Sequence, residues 1–245
     1  LPQAPLQIPS HKSSQKKSEA VVAAPQTDLL KECLQLAMTR PSDAIEVAEG
    51  WLAKAVTMQD RAGARQCHAL ALTRIEGWAE AAPLFLSARE DTPASEVDER
   101  ARLAALAGNA QLAAGDNTAA LAALDQARAD SAGGSDAKLR ATIEVDRARA
   151  LVSLNRPDEA AAALAAARTA DPANSQAWLL SATLSRRQGK LGEAQAQIER
   201  AALLMPVDPE IGLEAGVIAV LGGRDEAARR SWESVRSEER RVGKE

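Results

Sequence analysis

The 245-residue chain has no tyrosine and a single phenylalanine, and aromatic residues make up only 2% of it. A globular enzyme of this length normally buries many large rings, so this poverty argues for helices packed through small side chains. Two histidines, His11 and His68, and two cysteines, Cys33 and Cys67, leave little material for catalysis or metal binding. C-x2-C, H-E-x-x-H, a Gly-rich phosphate loop and G-x-S-x-G are all absent. His68 follows Cys67 directly, and neighbouring helical residues point about 100° apart, so the two are badly placed as nucleophile and base or as ligands of one metal. The chain is therefore read as a non-enzyme with no cofactor and no metal site. It lacks any apolar run of about 18 residues, which excludes a membrane-spanning helix in the sequence given. The net charge of −4 supplies no global basic field, which argues against nucleic acid as a partner.

What is present is alanine, leucine and a charged fraction of 26%, a composition suited to closely packed helices with solvated outer faces. Residues 175–206, SQAWLLSATLSRRQGKLGEAQAQIERAALLMP, read as two short amphipathic helices joined at Gly189 and closed by Pro206. Trp178, Ser181, Ala182 and Ser185 share one side of the first helix, and Ala194, Ile198 and Ala201 the facing side of the second. The pattern recurs. An alanine opens each second helix at Ala44, Ala81, Ala120, Ala160, Ala194 and Ala227, in steps of 37, 39, 40, 34 and 33. Turn residues keep step at Gly77, Gly115, Asn155, Gly189 and Gly222, four or five positions before each alanine from the second onward.

A helix-turn-helix period near 34 with this spacing resembles the tetratricopeptide repeat, whose pattern is W-x2-L-G-x2-Y, then A-x3-F, then A and P. Ser181, Ala182 and Ser185 stand where the family has leucine, glycine and tyrosine, and Ile198 replaces phenylalanine. Phe85, Ala88 and Pro93 keep the family spacing from Ala81. The resemblance implies an all-α fold, an α-solenoid of about six antiparallel helix pairs over residues 27–235. It is similar in composition to alanine-rich repeat proteins of the bacterial envelope, which implies a periplasmic or cell-envelope location, with a cytoplasmic one as the alternative.

In chain order, residues 1–26 carry four prolines with serine, glutamine and lysine and no helical period, and are expected to form a flexible tail. Such a tail suits either a linker after a signal peptide or membrane anchor, or an ordinary extension. Thr27 or Asp28 is expected to cap the first helix, Thr92 the first helix of the third pair, Asp116 its second, and Asp208-Pro209 to open the sixth pair. The segment Asp130-Ser131-Ala132-Gly133-Gly134-Ser135 reads as a long loop or a hinge. The last ten residues, 236–245, form a polar tail that looks like the translation of a sequencing-library adapter and are expected to be foreign sequence.

In the repeat family the first helices line a concave groove that takes an extended peptide or a partner's helix. Carried over by phase, the groove would hold Arg102, Asn109, Arg149, Thr183, Arg186 and Arg187. Arginines converging there would favour an acidic segment or a chain-terminal carboxylate, because guanidinium binds carboxylates bidentately; plain solvated arginines are the alternative. The lysine and asparagine set by which some members clamp a carboxylate is not reproduced. The mixed clusters Glu99, Arg100, Arg102 and Asp146, Arg147, Arg149 read as solvated faces. Cys33 and Cys67 fall on first helices of neighbouring repeats, which stack about 8–10 Å apart, whereas a disulfide needs Cα atoms within about 7 Å. Counted from Ala44 and Ala81 they are three residues out of register. A disulfide, which would suit an envelope protein, and a pair of small buried hydrophobes both stay open. Trp51, Trp78 and Trp178 lie in phase with packing positions, while Trp232 sits one residue past its own. The expected function is a protein-protein interaction scaffold or adaptor; the alternative is a regulatory or substrate-recruiting module of a larger enzyme or envelope assembly.

Overall fold

The computed structural model describes residues 26–242. The tail expected over 1–26 and His11 therefore fall outside the described residues, apart from Gln26. Among the described residues twelve helices form six antiparallel pairs: α1 (Gln26–Thr39) with α2 (Pro41–Lys54), α3 (Met58–Arg74) with α4 (Trp78–Asp91), and α5 (Val97–Ala113) with α6 (Asn117–Ser131). They continue with α7 (Ala137–Ser153) and α8 (Pro157–Ala170), α9 (Ser175–Arg187) and α10 (Leu191–Leu204), and α11 (Pro209–Leu221) and α12 (Asp225–Val242). The chain is an all-α solenoid.

From the second pair on, three residues join the helices of a pair, and the middle one is left-handed: Glu76, Gly115, Asn155, Gly189 and Gly223, with φ between 58° and 83°. The following amide then donates to the carbonyl five residues earlier, as in Arg156 to Leu151 at 2.8 Å and Lys190 to Ser185 at 2.9 Å, which closes the first helix in a Schellman turn. Two turn positions differ from the expectation. Glu76, not Gly77, and Gly223, not Gly222, take the left-handed conformation, since the turn counts from the helix end and not from the nearest glycine. Each left-handed residue lies five positions before a buried alanine, which makes Ala228 and not Ala227 the sixth marker; Ala228 is buried and Ala227 only half so. Trp232 then stands four residues past its marker, in phase after all.

Four residues past the marker sits the bulky side chain: Phe85, Leu124, Leu164 and Ile198 are all buried. Each faces a small residue sixteen positions earlier, at Ala69, Gly108, Ala148 and Ala182, so large fits against small at every pair. At Gly108 a Cβ would come within 2.6 Å of Leu124 Cγ. The first helices of neighbouring pairs touch, α1 with α3, α5 with α7, α7 with α9 and α9 with α11, whereas neighbouring second helices make no comparable contact. The stack is therefore tighter on the first-helix side, and that side is the concave one.

Asp116, Asp136, Asn174 and Asp208 each accept the amide three residues on, and Thr57 with Asp60 forms a capping box. Thr92 differs from its expected role: α5 starts at Val97, and the Thr92 hydroxyl donates to Ala88 O at 2.9 Å at the end of α4. Pro93 cannot open α5 because a five-residue connector, 92–96, intervenes. α1 likewise begins at Gln26, ahead of Thr27 and Asp28. At the other end α12 runs to Val242, so residues 236–242 of the expected polar tail are helical.

The segment from Asp130 to Ser135 is not loose. Asp130 accepts from Arg89 Nε at 2.6 Å and Nη2 at 3.0 Å, and its hydrogen bond holds the Arg89 guanidinium above its ordinary pKa. Gly134 O accepts from Arg140 at 2.8 Å, and a Cβ at Gly134 would strike Asp98. These contacts tie the connector to the helices on either side.

Candidate functional site

The concave groove is built from α5, α7, α9 and α11. Small residues keep these helices close, and their exposed positions carry the residues singled out by phase. Asn109 on α5 donates to Asp146 Oδ2 at 2.9 Å, and Arg149 on α7 donates to Asp146 Oδ1 at 2.6 Å. Asp146 is 2% exposed, so this carboxylate bridges two groove residues from beneath. Its neighbour Arg147 reaches Glu144 at 2.7 Å and Asp125 at 2.8 Å, and Arg100 donates to the carbonyls of Arg89 and Thr92. The two mixed-charge clusters are thus mostly packing networks and not solvated faces. Charge sign along the chain cannot distinguish the two, because some partners, Asp125 for Arg147 and the Arg89 and Thr92 carbonyls for Arg100, lie outside the cluster's own helix.

The six groove residues do not form one constellation. Arg102, half-exposed, pairs with Glu99 at 3.3 Å and with Asp136 at 3.7 Å. Arg186 reaches Glu214 on α11 through Nε at 2.6 Å and Nη2 at 3.3 Å, an ion pair that links the fifth pair to the sixth. Arg149, Thr183 and Arg187, by contrast, come together around a cavity of about 250 Å³ between α7 and α9. Its floor is Ala148, Val152, Leu164, Leu180 and Leu184, and Ser153 completes the rim. Among the described residues Arg187 has no ion-pair partner, so its guanidinium faces the groove uncompensated. The apolar floor was not singled out from the sequence, although Leu180 and Leu184 share a helical stripe with Thr183 and Arg187 that could have disclosed it.

Cys33 and Cys67 are joined as a disulfide between α1 and α3, with Cα atoms 5.9 Å apart. The apparent register offset comes from the turns: one residue, Arg40, joins α1 to α2, while three join α3 to α4. Counted from the helix ends instead, Cys33 lies six residues from Thr39 and Cys67 seven from Arg74, which brings them level. With Cys67 bonded, the residue beside His68 offers no thiolate. His68 lies 4.0 Å from Glu49. No group of three or more metal-ligating side chains occurs among the described residues, and none of the described helices is long and apolar enough to cross a membrane.

The tryptophans are packing residues with one polar contact each where one is seen. Trp51 covers Gly63 of the next pair and its Nε1 donates to Asp60 at 3.4 Å. Trp178 donates to Pro172 O at 3.0 Å and lies under the Arg168 guanidinium, 5.0 Å from the ring centroid; burial pushes that guanidinium below its ordinary pKa. Trp232 donates to Leu213 O at 3.3 Å and lies over Gly216, where a Cβ would meet its ring at 1.9 Å.

A stack of antiparallel helix pairs, small-against-large within each pair and grooved along the first helices, is a helical-repeat architecture of the tetratricopeptide type. Residues 145–203, from α7 to α10, match the sequence model of the tetratricopeptide repeat family. Residues 145–203 thus carry the tetratricopeptide repeat, and the other helix pairs share its architecture. Among solved structures it is similar to residues 41 to the end of MamA from Desulfovibrio magneticus RS-1, at 17% identity and a TM-score of 0.61 over 75% of this chain and 98% of that one. BtubC from P. vanneervenii is similar at 16% identity and a TM-score of 0.65, over 89% of each chain. YrrB, described as a TPR protein with an unusual peptide-binding site, aligns at 18% identity and a TM-score of 0.52, over 70% of this chain and 83% of its own. Among curated proteins none matches the chain. At these identities the likeness concerns the fold.

Proposed function

We propose that this protein is an interaction scaffold that holds a segment of a partner protein in its first-helix groove, without chemistry of its own. The observation that carries the reading is the cavity between α7 and α9: an apolar floor beneath two arginines and a threonine. At about 250 Å³ it is smaller than the roughly 300–1,000 Å³ of sites that enclose whole small ligands, so it suits one apolar side chain of a longer segment. Arg187 and the outward face of Arg149 then favour a carboxylate beside that side chain. The peptide-binding site in the description of YrrB supports the same class of role.

We place the protein in the cell envelope. The Cys33–Cys67 bond supports this, because structural disulfides persist in oxidising compartments.

The test uses capped peptides containing leucine flanked by aspartate, with alanine and asparagine versions as controls, titrated calorimetrically against the full chain. Binding that needs both the leucine and the acid, and that Arg187→Glu weakens by about tenfold or more, is the expected result. Arg187 is the proper residue to reverse, since Arg186 is committed to Glu214 and Arg149 to buried Asp146. Equal binding of all versions, or none, refutes the groove assignment.

A further inference from the structure

The fifth and sixth helix pairs are copies of one another at an offset of 34 residues. Ser175–Arg187 maps onto Pro209–Leu221, and left-handed Gly189 onto left-handed Gly223. The Asn174 cap on Ala177 maps onto the Asp208 cap on Ile211. Such a register lets one pair be subtracted from the other. In the fifth pair an indole fills the space between the start of the first helix and the connector before it: Trp178 donates to Pro172 O and lies under Arg168. In the sixth pair the equivalents of these three residues are Gly212, Pro206 and Ala202. Two large side chains are thus missing from an otherwise equivalent frame.

What remains there is a cavity of about 270 Å³. Gly212, Pro206 and Ala202 line it, with Ile211 and Ala215 standing where Ala177 and Ser181 stand one pair earlier. The carbonyl of Pro206 accepts no hydrogen bond from any described residue, whereas that of Pro172 takes the indole N–H. Val207, on the cavity wall, is 62% exposed, and Leu213, next to Gly212, is 51% exposed. Apolar surface is thus left beside the concavity. Arg230, also on the wall, brings a guanidinium to the slot from α12 in place of the absent Arg168.

We infer that the slot at Gly212 is a docking site for a tryptophan side chain supplied by a segment of a partner protein. The indole would take the position Trp178 takes in its own pair, with its N–H donated to Pro206 O and its ring beside Arg230. The slot is distinct from the α7–α9 cavity and stands whether or not that groove binds acidic segments.

The experiment is fluorine NMR of a short, capped, otherwise polar peptide carrying one 5-fluorotryptophan, added to the full chain, with 4-fluorophenylalanine and alanine peptides as controls. The fluorotryptophan resonance is expected to shift and broaden, and the phenylalanine peptide, lacking an N–H for Pro206, to bind about tenfold or more weakly. Gly212 lies inside α11 and is not left-handed, so Gly212→Trp keeps the helical backbone and offers the slot an indole of the chain's own. That variant is expected to melt above Gly212→Ala, which controls for helix propensity, and to leave the peptide resonance as in free solution. An unperturbed resonance with the wild-type chain, or undiminished binding by Gly212→Trp, overturns the inference. So does a Gly212→Trp melting temperature below that of Gly212→Ala. Self-association of the wild-type chain that Gly212→Trp abolishes would assign the slot to a second copy and overturn it too.

Discussion

Replacing both Cys33 and Cys67 with alanine tests how much of the first two pairs depends on one covalent link. The bond closes a loop of 34 residues. In the chain-entropy picture, 2.1 + 1.5R ln n with n near 34 gives a loss of about 3.8 kcal/mol at 25 °C when the link is removed. Among the described helices α1 packs mainly against α2 and α3, so few other contacts there compensate. In a solenoid each pair senses chiefly its neighbours, so the loss should stay local instead of lowering every transition equally. Hydrogen exchange by mass spectrometry reads this directly. Protection in α1–α3 should fall by roughly several hundred-fold, the equivalent of 3.8 kcal/mol, while α9–α12 keep theirs. Two results refute the reasoning: unchanged exchange in α1–α3, or a loss spread evenly to α12. Alkylation under denaturing, non-reducing conditions provides an independent check, since two thiol adducts on the wild-type chain would mean that no bond was there to remove.

Two glycines give opposite expectations for the same change. Gly108→Ala sets a methyl 2.6 Å from Leu124 Cγ and should destabilise by about 1–3 kcal/mol, whereas Gly50→Ala, with nothing within 4 Å, should stabilise by about 0.5–1 kcal/mol; urea denaturation separates the two. Asp130→Asn leaves Arg89 and Arg100 largely buried without their carboxylate and should cost about 2–3 kcal/mol by the same assay, a partial-exposure discount from a fully buried pair; no measurable change would show that connector to be independent of the network.

The architecture was legible because it rests on small-residue spacing, which a sequence displays directly. The alanine phase located five of the six pairs in register, and the turn residues three. The sixth slipped by one because Ala227 and Ala228 are adjacent, as are Gly222 and Gly223, and only burial and φ choose between them. The groove was less legible. Phase placed Arg149, Thr183 and Arg187 on first helices, and the structure brings them to one cavity. Phase could not show that Arg186 is taken by Glu214 of the next pair, nor that Asn109 donates to Asp146, since these partners sit 28 and 37 positions away.

Left-handed residues fall at a fixed distance from the marker alanine, while the connectors between pairs vary from three to five residues. From the second pair on, length variation is thus confined to the joints between pairs. The helix pair behaves as an indivisible cassette, and the joints at 92–96, 132–136, 171–174 and 205–208 are the places where cassettes can be spliced, duplicated or deleted without disturbing the fit inside any of them. A library that shuffles whole pairs at these joints would vary the length and curvature of the stack while keeping every internal contact, which single-residue mutagenesis cannot do.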